Sequence, residues 1–446
     1  MNVKLRLILL NFLQFAAWGA YLTSMGKYLG AIGLGDKIPI FYAMQGIVSI
    51  FMPAILGIIA DRWIPAQRLL GFAHLIAGVA IAGTGYVGMV NGSATEFSVL
   101  FGLYSLSVMF YMPTIALSNS VAYTILKNNN MDIIKAFPPI RTLGTVGFIC
   151  AMLFVNFAGI NEGNLGFNFN NRSNFESFQN TYAQFFVSAI LSFALFLFSF
   201  ALPNCPTSPA SEKQSFSEAF GLKAFALFKD KRMAIFFIFS MLLGVSLQIT
   251  NAYANPFISS FGDIEEYSSA WGVNNANALI SLSQVSETLC ILLIPYCLKK
   301  FGIKKVMLMA MFSWFLRFGL FAIGDPGSGV WMFILSMIVY GVAFDFFNVS
   351  GSLFVDQETD VSIRSSAQGV FMMMTNGFGA TIGMLVAGAV VNHFNVFSDT
   401  TDAITRMKSW ESAWSIFALY ALTVALVFMV IFKYKHEPEK LENVKH

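Results

Sequence analysis

The sequence predicts an all-α membrane protein with twelve transmembrane helices in two six-helix halves. Three observations carry this: a composition poor in charge, twelve long apolar runs, and basic residues gathered on one side of those runs. Of 446 residues, 56% are hydrophobic and 11% are charged, and the mean hydropathy is +0.66. A soluble domain carries about 25% charged residues. Less than half that fraction cannot coat a water-facing surface of this size, which excludes a soluble enzyme, a nucleic-acid binder and a disordered chain. The net charge of +3 is too small to imply a polyanionic partner.

A helix crossing a hydrocarbon core roughly 30 Å thick needs about 20 apolar residues. In order, the runs that meet this are 7–26, 38–60, 69–95, 97–126, 142–160 (directly after Arg141) and 177–211. The second group is 233–262, 273–298 with Glu287, 306–323 with Arg317, 330–353 with Asp345, 365–398 and 412–432. They are continuous rather than alternating, so they are helices and not barrel strands.

With twelve spans both termini lie on one side. That side carries Lys4, Arg6, Arg62, Arg68, Lys127, Lys135, Lys213, Lys223, Lys229, Lys231 and Arg232. It also carries Lys299, Lys300, Lys304, Lys305, Arg364, Lys433, Lys435, Lys440 and Lys445, which makes 20 of the 27 basic residues. The opposite side has Lys27, Lys37, Arg172, Arg406 and Lys408. Positive residues stay in the cytoplasm, so both termini are expected there. A missed or invented helix would scatter this count. The first run is full length without a small-residue cleavage site, so no cleavable signal peptide is expected.

Other chemistry is not signalled. Cys150, Cys205, Cys290 and Cys297 are scattered and read as packing residues, and His74, His393, His436 and His446 have no ligand spacing. No metalloprotease, nucleophile-elbow or phosphate-loop pattern occurs. No enzyme, metal or cofactor is expected. The sequons at Asn91 and Asn171 are chance-level signals.

The expected organisation is a six-helix half over 1–202, a cytoplasmic linker over 203–231 rich in Pro, Ser and charge, a second half over 232–433, and a tail over 434–446. After the second run comes Gly57-Ile-Ile-Ala-Asp61-Arg62-Trp-Ile-Pro-Ala-Gln-Arg68; after the eighth comes Pro295-Tyr-Cys-Leu-Lys299-Lys300-Phe-Gly-Ile-Lys304-Lys305. By itself each is a short basic turn. Together they resemble the loop signature of the major facilitator superfamily, with Gly57, Asp61 and Arg62 matching, Pro65 departing from a glycine region, and the second copy lacking the acid. The resemblance implies inverted repeats in each half and a substrate site near the midplane between halves.

Four ionisable residues fall within or at the edge of spans: Arg141, Glu287, Arg317 and Asp345. Each costs about 2.5–3.5 kcal/mol at mid-helix on insertion scales, so each should face a cavity or another charge. Arg317, in Trp314-Phe-Leu-Arg317-Phe-Gly, has bulky apolar neighbours and reads as a structural ion-pair partner. The other three keep polar company. Arg141, Thr145 and Phe148 share one face of helix 5, with Pro138 and Pro139 just before it suiting a helix start. Gln248 and Asn251 are i, i+3, as are Gln284 and Glu287. Tyr340, Phe344 and Asn348 form a stripe flanked by Asp345. Such a lining suits a neutral polyol carrying a planar heterocycle. The same residues suit interhelical hydrogen bonding equally well.

At these positions the chain resembles the bacterial nucleoside:proton symporters of that superfamily (the nucleoside and xanthosine permease group), over nearly its whole length. The matching segments include Phe12-Leu-Gln-Phe-Ala-Ala-Trp18-Gly, Phe137-Pro-Pro-Ile-Arg141, Leu247-Gln-Ile-Thr-Asn251, Ser283-Gln-Val-Ser-Glu287-Thr and Tyr340-Gly-Val-Ala-Phe-Asp345-Phe-Phe-Asn348. The loops around 161–179 and 399–408 depart from it. The resemblance implies proton-driven uptake of purine and pyrimidine nucleosides. It implies a pocket at Arg141, Thr145, Phe148, Gln248, Asn251, Gln284, Glu287, Tyr340 and Phe344. The expected mechanism has Glu287, Asp345 or both carrying the proton, Arg141 as switch partner, and Asp61 with Arg62 latching a cytoplasmic gate. Expected partners are a nucleoside, protons and the lipid bilayer of the cell inner membrane, with no nucleic acid and the protein a monomer. A proton-coupled sugar or drug transporter is the alternative.

Overall fold

The computed structural model describes residues 2–161, 163–169, 175–207, 222–360, 363–398 and 400–434. Linker residues 208–221, the tail beyond 434, and Arg172 with its sequon lie outside the described residues. The chain divides into two units, Met1–Phe220 and Gly221–His446.

Unit 1 holds α1 (Val3–Gly19), α2 (Ile38–Arg62), α3 (Ala66–Asn91), α4 (Phe97–Asn128), α5 (Ile133–Phe157) and α6 (Ala183–Ser199). Unit 2 holds α7 (Lys231–Ser260), α8 (Ala276–Phe301), α9 (Ile303–Ile323), α10 (Val330–Glu358), α11 (Ser366–His393) and α12 (Ala403–Ile431). Ten of these are long and apolar enough to cross a membrane, while α1 and α6 have 17 residues each. This is the twelve-helix, six-plus-six fold read from the runs.

Several boundaries differ from the expected ones. Helix α1 stops at Gly19 rather than near 26, and a short helix, Met25–Ala31, follows a turn. Helix α5 begins at Ile133, so Pro138 and Pro139 lie inside it instead of opening it. Asp132 starts the helix, accepting from the Lys135 amide at 3.4 Å, and the ladder is already running from the Ala136 amide before the prolines, each of which removes one bond in the second turn. The same helix ends at Phe157, because Ala158–Asn161 (β1) pairs antiparallel with Asn164–Phe167 (β2) and Glu176–Ser177 (β3). Helix α6 accordingly starts at 183, not 177. Helix α12 extends nine residues upstream of its expected start, through Arg406, Lys408 and Glu411. Asp402 caps it, accepting from the Thr405 amide at 3.0 Å and the Thr405 hydroxyl at 2.6 Å. Those bonds hold the Asp402 carboxyl below the usual carboxylate range. Hydropathy misses such a start because the charged turns project beyond the apolar run.

The two units repeat one packing plan. In unit 1, α1 packs on α5 and α6, α3 on α4 and α6, and α2 on α4. In unit 2, α7 packs on α11 and α12, α9 on α10 and α12, and α8 on α10. The α1–α5 seam is closed by glycine: a Cβ on Gly147 would overlap the Phe12 carbonyl, and one on Gly19 the Phe148 carbonyl. The α7–α11 seam matches it, with Gly244 against the Thr375 backbone. Small residues let helices approach where no water-driven force holds them together. Gly147→Val should therefore lower the melting temperature of the purified protein, since overpacking costs about 1–3 kcal/mol. Gly102→Ala, with nothing within 4 Å of its Cβ, is the control expected to melt unchanged. Equal melting of both variants would show that the seam tolerates a side chain.

Candidate functional site

In unit 1 the α1–α5 seam sets the first group of residues. Arg141 is half-buried, and its guanidinium carbon lies 3.8 Å from the centre of the Phe15 ring. This face-on contact fixes a cation on an aromatic platform. Thr145, one turn on, is half-buried. Phe148 is buried and meets Trp18 edge to face, with centroids 6.1 Å apart. Trp18 also packs against Tyr111 on α4 at 6.3 Å. Its indole N–H makes no hydrogen bond among the described residues. The three expected residues of α5 therefore lie along one seam, together with Phe15 and Trp18.

In unit 2 the second group centres on Tyr340 of α10, which is buried. Phe344, one turn later, stacks on it with centroids 5.6 Å apart and planes 14° apart. Trp314 of α9 meets it edge-on at 5.9 Å. Gln284 of α8 hydrogen-bonds to the Tyr340 side chain, and Glu287, Arg317 and Asp345 all act on it electrostatically. Asp345 is buried at 8% exposure, while Gln284 and Glu287 are half-buried. On α7, the Asn251 amide donates to Gln248 Oε1 at 2.9 Å. That bond uses one donor and one acceptor, so N–H groups on Gln248 and the carbonyl oxygen of Asn251 remain as a donor–acceptor pair.

Arg317 departs from its expected role. It is 1% exposed, and both its hydrogen bonds go to neutral oxygens, the Ser336 carbonyl at 2.7 Å and Ser283 Oγ at 3.3 Å. Its guanidinium carbon lies 4.5 Å over the Tyr340 ring and 5.5 Å from Phe321. Among the described residues it forms no ion pair, and it is the platform behind Tyr340. Spacing missed this because Ser283, Ser336 and Tyr340 come from α8 and α10, and only Phe321 comes from its own helix.

Asp61 and Arg62 occupy the last turn of α2, both half-buried. The chain then turns through Pro65, whose extended backbone (φ −50°, ψ 132°) opens α3. Proline at this helix start explains the departure from glycine in the loop signature. No group of three or more metal-ligating side chains occurs among the described residues.

These arrangements can be set beside known proteins. A profile of the nucleoside H+ symporter family matches residues 1–437. The nucleoside permease NupG of Escherichia coli is 43% identical over 451 residues, covering all of both chains. The xanthosine permease of Escherichia coli is 42% identical over 447 residues, covering 99% of each. The crystal structure of the nucleoside transporter NupG superposes with a TM-score of 0.83, covering 98% of this chain and all of that one. A D-xylose–proton symporter, 13% identical over 98% of each chain with a TM-score of 0.65, shares the fold alone. The fold is that of the major facilitator superfamily, and by the family match and these identities the chain belongs to the nucleoside H+ symporter family.

Proposed function

We propose that the protein takes up purine and pyrimidine nucleosides together with protons across the cell inner membrane. The observation that carries the reading is the cluster on Tyr340: a stacked second ring, an amide, two carboxyl groups and a buried guanidinium, all acting on one side chain. Flat aromatic faces suit a base, amides suit its edge and the ribose hydroxyls, and carboxyl groups suit proton transfer. Gln248, Asn251 and Gln284 read the hydroxyls and base edge. Tyr340 and Phe344 stack on the base, and Arg141, Thr145 and Phe148 complete recognition. Glu287 and Asp345 carry the coupling proton, and Asp61 with Arg62 latches the cytoplasmic gate. Family membership supports the substrate and the ion.

A bilayer around the protein is supported by its surface. Leu292, Val430, Leu197 and Ile190 are each at least 66% exposed, whereas Gln14, His74 and Arg317 are at most 1% exposed. Apolar side chains outside and polar ones inside suit a lipid solvent. Trp63, Trp271, Tyr296 and Trp331, exposed near helix ends, suit the interface. The basic asymmetry supports a cytoplasmic position for both termini, and we read the protein as a monomer.

Thermal unfolding with and without ligand tests the reading. Uridine and adenosine should raise the melting temperature, because a ligand at a hundred times its Kd adds about 2.7 kcal/mol. Xylose and free ribose should not. A shift with sugars alone would replace the nucleoside reading with the sugar-transporter alternative.

A further inference from the structure

We propose that His74 is a positioning residue for the unit 1 substrate residues, acting through Gln14. The inference rests on the nucleoside reading above and adds a residue that spacing passed over. His74 lies on α3 and is fully buried. Its Nε2 is 2.8 Å from Gln14 Oε1 on α1.

The hydrogen-bond chain fixes the chemistry of this pair. Thr114 Oγ1 spends its only proton on the Tyr111 carbonyl, at 2.5 Å. It must therefore accept from Gln14 Nε2, at 2.8 Å. With its amide oriented this way, Gln14 turns its carbonyl oxygen toward His74, so His74 Nε2 carries the proton and donates. The other ring nitrogen, Nδ1, makes no hydrogen bond among the described residues. A second proton there would bury an unpaired cation, so the ring sits as the neutral Nε2–H tautomer. It is a fixed donor in this arrangement, not a proton carrier.

Gln14 is also gripped by its main chain, because the Tyr111 hydroxyl donates to the Gln14 carbonyl at 2.5 Å. Three bonds from α3 and α4 thus pin one residue of α1. The next residue, Phe15, carries the Arg141 guanidinium, and Trp18, one turn on, packs against Phe148. Helix α1 ends at Gly19, so little helix beyond this point resists rotation. A turn of α1 about its axis would move the supports of Arg141 and Phe148 together. Unit 2 has a parallel arrangement: Arg317 on α9 braces Tyr340 on α10, as His74 on α3 packs edge-on against Tyr111 on α4, with centroids 5.6 Å apart.

The test uses the full-length protein in proteoliposomes with labelled uridine. His74→Leu removes the donor, whereas the side-chain amide of His74→Gln can keep an N–H near the Nε2 position. Losing a buried hydrogen bond that orients a binding group should raise the uptake KM at least about fivefold in His74→Leu, with the maximal rate within about twofold of wild type. His74→Gln should restore KM to within about twofold, and Gln14→Leu should match His74→Leu. Equal KM values for His74→Leu and His74→Gln, raised or not, would overturn the proposal. So would His74→Gln that binds uridine but no longer accumulates it with a proton gradient, since His74 would then carry the proton. The pairing has its own readout in a double-mutant cycle on melting temperature, where additive effects of His74→Leu and Gln14→Leu count against it. Wild-type protein that binds no nucleoside would count against the function and leave that cycle standing.

Discussion

Glu287→Gln and Asp345→Asn are each expected to abolish uridine accumulation driven by a proton gradient, while the purified variants still bind uridine. Both substitutions keep shape and hydrogen-bonding capacity but remove the titratable proton. Both residues act on Tyr340, which places them beside the proposed base platform. A carboxyl group in such a site gains or loses its proton as water and neighbouring charge change between outward- and inward-facing states. Binding of neutral nucleoside by the amides and rings does not need that titration, so affinity and coupling should separate. The measurement is uptake into vesicles with and without an imposed pH gradient, beside a thermal shift with uridine. Retained gradient-driven accumulation in both variants would remove the proton role from these acids. If one alone loses it, that residue carries the proton.

Arg317→Met is the second large effect: uptake should fall at least tenfold with little loss of stability. The guanidinium lies 4.5 Å over the Tyr340 ring, a desolvated cation–π contact worth about 2 kcal/mol. It also ties α9 to α8 and α10 through Ser283 and the Ser336 carbonyl. Removing it should let Tyr340 tilt away from the groups that act on it. Stability should hold better than function, because replacing a buried charge with an apolar side chain of similar length removes a desolvation cost. Arg317→Lys keeps the charge but loses the planar stacking, so intermediate uptake is expected. Wild-type uptake in Arg317→Met would return Arg317 to a purely structural role. Loss of folding in Arg317→Met with normal uptake in Arg317→Lys would do the same.

Much of the fold was readable because spanning a membrane is a demand on local composition. Each helix must satisfy its own backbone and present about 20 apolar residues to lipid, so helix number follows from run length alone. Ends were less readable. The true start of α12 is Ala403, nine residues before the apolar run, where the Asp402 cap and not hydropathy decides. The start of α5 was hidden by Pro138 and Pro139, which usually open helices but here lie within one.

The candidate site divides along the same line. The pairs Gln248 with Asn251 and Tyr340 with Phe344 were legible because residues three or four apart share a helix face, and the structure brings each pair into contact. Arg317, His74 and Trp18 were not. The partners that define each come from other helices, 23 to 130 residues away. The sequence by itself therefore determined the solvent, the helix count and the polar stripes, since these depend on neighbours along one chain segment. Only the tertiary structure decided which lone polar residues meet, because that depends on how helices rotate and how closely glycines such as Gly147 and Gly244 let them approach.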